Sequence, residues 1–157
     1  MEQALESYLK GIGIGYKVHS HKAVFTVAES TGLRGEIPGM HTKSLFLEDE
    51  KGNFYLVCMD ALKRLDIKSL RKRLNVSKLQ FASPEKLKIE LDLTPGSVSI
   101  FGMINAKNTK LILDKDLWGA EIVAFHPNIN TETLEITHKD LEKFCGSLQS
   151  NWEVLEL

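Results

Sequence analysis

Between Arg34 and Asp49 the chain reads Arg-Gly-Glu-Ile-Pro-Gly-Met-His-Thr-Lys-Ser-Leu-Phe-Leu-Glu-Asp, and this stretch limits the available folds more than any other. Gly35, Pro38 and Gly39 interrupt its first half every few residues, so that half reads as a loop and not as regular structure. From Lys43 the text turns apolar, Ser44-Leu45-Phe46-Leu47, and a second apolar run, Phe54 to Met59, follows the turn residues Lys51-Gly52-Asn53. Two short apolar runs around such a turn predict a hairpin. Lys43 then stands where a Gly/Pro loop passes into a buried strand, two residues after His41. An adaptable loop over a rigid strand suits a residue that must meet a ligand. A solvated lysine that discourages pairing between sheet edges would look the same locally.

The remaining segments interleave helix and strand. Ala4, Leu5, Tyr8, Leu9 and Ile12 recur at helical spacing over residues 2–12, and Gly11, Gly13 and Gly15 stop the pattern. Tyr16 to His19 alternates as an edge strand. His19 and His21 share a strand face and could suggest a metal pair, but no third ligand of matching character lies nearby in the sequence. Thr26-Val27-Ala28-Glu29 has the form of a capping box and predicts a short helix ending at Gly32. Asp66 caps a predicted helix with Ile67, Leu70 and Leu74 on one face. Its other positions carry Lys68, Arg71, Lys72 and Arg73, part of the one dense basic cluster, Lys63 to Arg73. Such a cluster suits either solvent or a phosphate backbone.

Lys78 to Ala82 reads as a strand. Ser83-Pro84-Glu85 supplies an N-cap, a first-turn proline and a first-turn acid for a helix towards Leu91. Thr94-Pro95-Gly96-Ser97-Val98-Ser99 is a second glycine turn, expected to lead into a short strand with Ser97 and Ser99 on one face. Leu111–Leu113 and Glu121–Phe125 are further strands joined by a turn or a single helical turn. The second of them runs directly into His126-Pro127, which places an imidazole at a strand end. Thr133 to Ile136 alternates as a strand, Thr137 caps a last helix that Gly146 ends, and Trp152 to Leu155 can close a sheet edge.

Six or seven strands with three or four helices, without regular βαβ alternation, predict one α/β (α+β) domain over 1–157 with a mixed, largely antiparallel, curled sheet and flanking helices. Hydrophobic residues at 43% and charged residues at 26% describe a globular chain with a real core. A formal charge of −1 provides no global attraction to nucleic acid, so any RNA contact must be local, and direct DNA binding is not expected. Cys58 and Cys145 show no zinc spacing and read as free thiols of a reducing compartment. No signal sequence or membrane span is visible, and a cytoplasmic location is expected. P-loop, GxGxxG, GxSxG and HExxH motifs are absent, and neither a metal nor another cofactor is expected.

Four separated stretches, Ala23–Ser30, Leu33–Leu47, Thr94–Ser99 and Phe125–Pro127, together resemble the YbaK/prolyl-tRNA-synthetase-associated editing domains, and most closely their freestanding ProXp-ala (PrdX-like) branch. The resemblance implies hydrolysis of mischarged aminoacyl-tRNA, above all alanine attached to the tRNA for proline. It also implies tRNA as partner, with prolyl-tRNA synthetase as a second one. Carried over by position, Lys43 matches the lysine on which family activity depends, Gly96 with Ser97 the backbone loop beside the substrate, and His126 the histidine of the aminoacyl pocket. Thr26, Ser44 and Asn105 also fall on pocket positions. The chain departs from the family pattern at Ser44, where asparagine is common, at Ile100, where proline is usual, and at Asn105-Ala106, in place of Asn-Asp. Two other readings share these features: a non-catalytic aminoacyl-tRNA binding module, and a synthetase-binding adaptor.

Overall fold

The computed structural model describes residues 1–23 and 31–157. Helix α1 (Gln3–Gly11) buries Leu5 and Leu9 and is followed by strand β1 (Lys17–Ser20). Helix α2 (Thr31–Glu36) precedes the hairpin of β2 (Met40–Asp49) and β3 (Phe54–Asp60). Next come α3 (Ile67–Arg73), β4 (Leu79–Phe81), α4 (Pro84–Leu91) and a 3-10 helix over Ile100–Asn105. The chain ends with β5 (Thr109–Asp114), α5 (Lys115–Gly119), β6 (Ile122–Phe125), β7 (Glu132–Thr137), α6 (His138–Ser147) and β8 (Trp152–Leu155).

Local chemistry sets most of these boundaries. Asp66 accepts from the Ser69 amide, Ser83 from that of Lys86 and Thr137 from that of Asp140, each satisfying an orphan N–H of a helix start. Asp49 organises the hairpin turn: its carboxylate accepts from the amides of Lys51 and Asn53, the Asn53 side chain and the Tyr55 hydroxyl. These bonds hold its pKa below the ordinary carboxylate value although burial pushes the other way.

The eight strands form one sheet in the order β1-β7-β6-β2-β3-β5-β8, with β4 also paired to β2. The β1–β7, β6–β7, β2–β3 and β2–β4 pairings are antiparallel; β2–β6, β3–β5 and β5–β8 are parallel. Period-two alternation then divides the side chains. Phe46, Leu56, Leu111, Val123, Phe125 and Leu134 enter the main core with α1, α4 and α6. Leu45, Leu47, Tyr55, Val57 and Ile112 lie on the opposite face, beneath Leu70 of α3.

The mixed sheet with flanking helices is as the sequence predicts, with several local differences. Helix α2 extends through Gly32 and Gly35 to Glu36, into the stretch expected to be loop. Glycine costs a helix only about 1 kcal/mol per residue, so punctuation by glycine alone does not stop one. Strand β2 begins at Met40, which makes Lys43 an interior strand residue. No strand follows Gly96; Ser99 caps the 3-10 helix instead, its hydroxyl accepting from the Phe101 amide. Helix α6 continues through Gly146 to Ser147, because the apolar face carrying Phe144 and Cys145 remains packed. The described residues hold eight strands against an expected six or seven. The capping box at Thr26 lies outside the described residues.

Gly39 is required where β2 starts. Its φ is +95°, and a Cβ there would sit 2.7 Å from the Ile122 side chain and 2.8 Å from the Ile122 carbonyl oxygen. Gly39→Ala therefore faces both an unfavourable backbone region and a backbone collision. A loss of about 1–3 kcal/mol in urea unfolding is expected. Gly35→Ala, with open space around its Cβ position, should lose none.

Candidate active site

The site follows from how β2 shares its edges. One edge pairs with β3 from Thr42 to Glu48. The other pairs with β6 at Met40 and His41, and with β4 from Leu47 to Asp49. Between those pairings, the edge from Lys43 to Leu45 faces no strand among the described residues. The Thr42 hydroxyl donates to the Ala124 carbonyl at 2.8 Å, so β6 stays attached up to the point where it turns at His126-Pro127.

Alternation decides what faces that gap. Val123 and Phe125 of β6 enter the core, so Ala124 and the following His126 fall on the other face. His41 is in register with Ala124, and Lys43, two residues on, shares its face. Thr133 and Glu135 of β7 also lie there, only 3% and 8% exposed. His19 Nε2 bonds Glu135 Oε2 at 3.0 Å, and His21 Nε2 bonds Thr133 Oγ1 at 2.8 Å. This half of the sheet is apolar on one face and polar, rich in imidazole, on the other.

Lys43 is half-buried opposite buried Met59 and has no ion-pair partner among the described residues. Burial lowers its pKa below the ordinary lysine value, and nearby Asp60 offsets only part of the shift. Without an ion-pair partner among the described residues, its ammonium is in a position to gain from an anion.

His126 is held at both ends. Ser99 donates its hydroxyl to the His126 carbonyl, which draws the glycine turn towards the imidazole. The ring Nδ1 bonds the Glu132 carbonyl at 3.1 Å. A carbonyl only accepts, so Nδ1 carries the proton and Nε2 of the neutral ring is an acceptor. Burial depresses the His126 pKa; the bond to Glu132 opposes this, and charge on His21 or His41 adds to it. His41 is itself fixed through Nε2 to the Ile37 carbonyl at 3.0 Å.

The predicted residues divide accordingly. Lys43 and His126 share a face, and the turn at Gly96 (φ +88°), closed by the Ser97 amide to the Thr94 carbonyl, is tied to them through Ser99. Ser44 is on the opposite face of β2, where its hydroxyl meets the Cys58 thiol at 3.2 Å. Burial pushes that thiol up to about 12, so it is no nucleophile. Asn105 ends the 3-10 helix, roughly 12 Å along its axis from Ser99, and its exposed amide donates to the Leu91 carbonyl. Thr26 lies outside the described residues.

Helix α3 covers the sheet face that carries Lys43, through Leu45 and Leu47 on the same side of β2. Lys68 and Lys72 are exposed on it. Arg71 donates to the Ser77 carbonyl and Arg73 to that of Glu156, and Lys63 is taken by Asp114 and Asp116. The sequence does not mark Thr42, Thr133 or Glu135 as site residues, and it places Ser99 on a strand face where the structure makes it a cap and a tie to His126. The alternation of Thr133-Leu134-Glu135-Ile136 marks two faces, but not that the polar one is buried. Among the described residues no group of three or more His, Cys, Asp or Glu side chains is arranged to hold a metal. No helix among them is long and apolar enough to cross a membrane.

Residues 21–144 match the family model of the aminoacyl-tRNA editing domain. The chain belongs to this family. As a member of the aminoacyl-tRNA editing domains it is an aminoacyl-tRNA deacylase, the class of ester hydrolase expected from its sequence. It is 35% identical to the prolyl-tRNA editing protein ProX of Acetoanaerobium sticklandii, covering 99% of this chain and 97% of that one. It is 30% identical to the prolyl-tRNA synthetase associated domain-containing protein 1 of Danio rerio, covering 95% and 83%. A crystal structure presented provisionally as a trans-editing enzyme for prolyl tRNA synthetase superimposes with a TM-score of 0.77 at 24% identity, covering 100% of this chain and 98% of that one. That likeness speaks to the fold of the editing domain.

The His126 geometry makes a direct prediction. Nitrogen-detected NMR should show the Nδ1–H tautomer and a titration midpoint below the ordinary value of 6.5. Because the folded pKa is depressed, the unfolded chain binds the proton first as pH falls. The stability from neutral His126 is therefore complete above 6.5 and lost as pH drops through the folded value. His126→Phe should flatten that part of the stability profile in urea unfolding.

Proposed function

We propose that the chain is a single editing domain that acts in trans for prolyl-tRNA synthetase, removing alanine from mischarged tRNA for proline. The reading is carried by the placement of Lys43, on β2, and His126, directly after β6, on one sheet face, beside the edge of β2 that faces no strand among the described residues. The names of the Acetoanaerobium and Danio relatives support prolyl-tRNA as the system.

Hydrolysis requires water to add to the ester carbonyl, the acyl–oxygen bond to break, and the ribose oxygen to gain a proton. The free hydroxyl beside the ester can orient that water, which leaves the protein the task of positioning. Lys43 holds the terminal phosphate or ribose, where an anion compensates its half-buried charge. The Gly96 amide fixes the acyl carbonyl, while the Ser97 amide, taken by the Thr94 carbonyl, holds the turn in shape. Neutral His126 offers Nε2 to the amino group of the aminoacyl moiety, an interaction that a protonated ring would lose. A pocket walled by His126 admits alanine and excludes larger residues by size. One methylene in an apolar pocket is worth only about 1–3 kcal/mol, so a steric limit discriminates better than affinity. The exposed Lys68 and Lys72 of α3, with Arg71 and Arg73 beside them, take the phosphates of the acceptor stem.

A deacylation panel on tRNA for proline charged with alanine, serine, cysteine or proline tests this. Rapid release of alanine with proline retained is expected; binding of the charged tRNA without turnover would instead identify a non-catalytic module. Lys43→Ala should lower alanine release by about 100-fold or more. Its urea midpoint should not fall, since the lysine contributes a desolvation cost and, among the described residues, no ion pair. Lys68→Glu with Lys72→Glu should weaken tRNA binding and reduce the slope of log affinity against log salt by about one per lysine lost. A slope equal to the parent's would leave α3 a solvated helix.

A further inference from the structure

We infer that His21 is a positioning residue for editing, its imidazole bracing the ring of His126 and so limiting the width of the aminoacyl pocket. This rests on the placement of His126 in that pocket, proposed above. The sequence pairs His21 with His19 as strand neighbours of metal-ligand type, but the structure assigns them different tasks. His19 bonds Glu135, whereas His21 lies just beyond β1 and reaches back over β7.

Both nitrogens of His21 are engaged. Nδ1 bonds the Lys22 carbonyl at 2.8 Å, so it carries the proton, and Nε2 accepts from the hydroxyl of Thr133 at 2.8 Å. Thr133 is 3% exposed, in the middle of β7, so this tether is anchored in the sheet. With two bonds at opposite ends of the ring, neither its position nor its rotation is free. It meets the ring of His126 edge-on, at 6.2 Å between centroids and 63° between planes. The His126 ring has a single hydrogen bond of its own among the described residues, at Nδ1. That bond leaves the ring free to tilt about it, and His21 blocks the tilt on one side. A size limit works only if the wall does not give way by the width of a methylene, so rigidity behind His126 is as necessary as His126 itself.

The test is the ratio of kcat/KM for prolyl- and alanyl-tRNA, both on tRNA for proline, in the parent, His21→Ala, His21→Phe and Thr133→Val. Removing the ring in His21→Ala should raise the prolyl-to-alanyl ratio about tenfold or more, the discrimination that one methylene carries. His21→Phe, which keeps a ring against His126, should return most of the parent's ratio. Thr133→Val, which keeps the imidazole but cuts its anchor, should raise the ratio and remains informative if His21→Ala fails to fold. An active parent whose ratio is unchanged in His21→Ala, or in Thr133→Val should the former not fold, overturns the inference while leaving the editing function intact. A parent inactive on every charged tRNA would sink the editing reading, and this inference with it.

Discussion

Strand β2 has two edges and three strands to satisfy. β3 occupies one edge along most of its length, and β6 and β4 divide the other, one at each end. The division is possible only because Gly39 lets the chain arrive against Ile122 at a distance no side chain would tolerate. Once β6 is seated there, Thr42 locks it through Ala124, and it must leave the sheet plane before β4 begins. Among the described residues the gap is a consequence of strand pairing, and Lys43 stands in it because it is the first residue of that face beyond the seam.

The polar face around the gap depends on the same arrangement. A sheet with a single buried face alternates apolar and polar residues, and the polar ones normally meet water. Here Thr133 and Glu135 are buried as deeply as the core, and each is partnered by an imidazole from the edge strand region. Backbone carbonyls of Ile37, Lys22 and Glu132 determine the proton positions of His41, His21 and His126. Three imidazoles on the face of one lysine would repel one another if charged, and burial lowers the His126 pKa. The result is a face on which Lys43 has no ion-pair partner among the described residues and on which hydrogen bonds fix the imidazoles of His21, His41 and His126. Such a site suits an ester joined to a phosphate-bearing ribose and carrying its own amino group.

Much of the fold is legible in the sequence because its signals are local. The caps at Asp66, Ser83 and Thr137 act within three residues, and the turn at Asp49–Asn53 within four, so residue type alone predicts them. The failures share a cause as well. Glycine stops neither α2 nor α6, because its propensity cost is small, and in α6 the packing of Phe144 and Cys145 outweighs it. The segment after Gly96 carries the apolar residues of a strand, but it becomes a 3-10 helix because the Ser99 hydroxyl accepts from the Phe101 amide and donates to the distant His126 carbonyl. Likewise Ser44 and Lys43 are neighbours in sequence and opposite in space, which period-two geometry demands.

The sequence by itself determined the class of fold, the hairpin, the caps, the basic helix and, through motif order, the family of editing domains. Each of these depends on residue identity at short range or on the pattern of separated motifs. Only the tertiary structure decided that Lys43 and His126 share a face, that Ser99 ties the glycine turn to them, and that His21 and not His19 stands behind the imidazole. Those relations are settled by strand register, and register is a property of pairing between segments far apart in the chain, such as His41 with Ala124 and His19 with Thr133. A slip of one residue would send every one of these side chains to the other face while leaving the sequence unchanged.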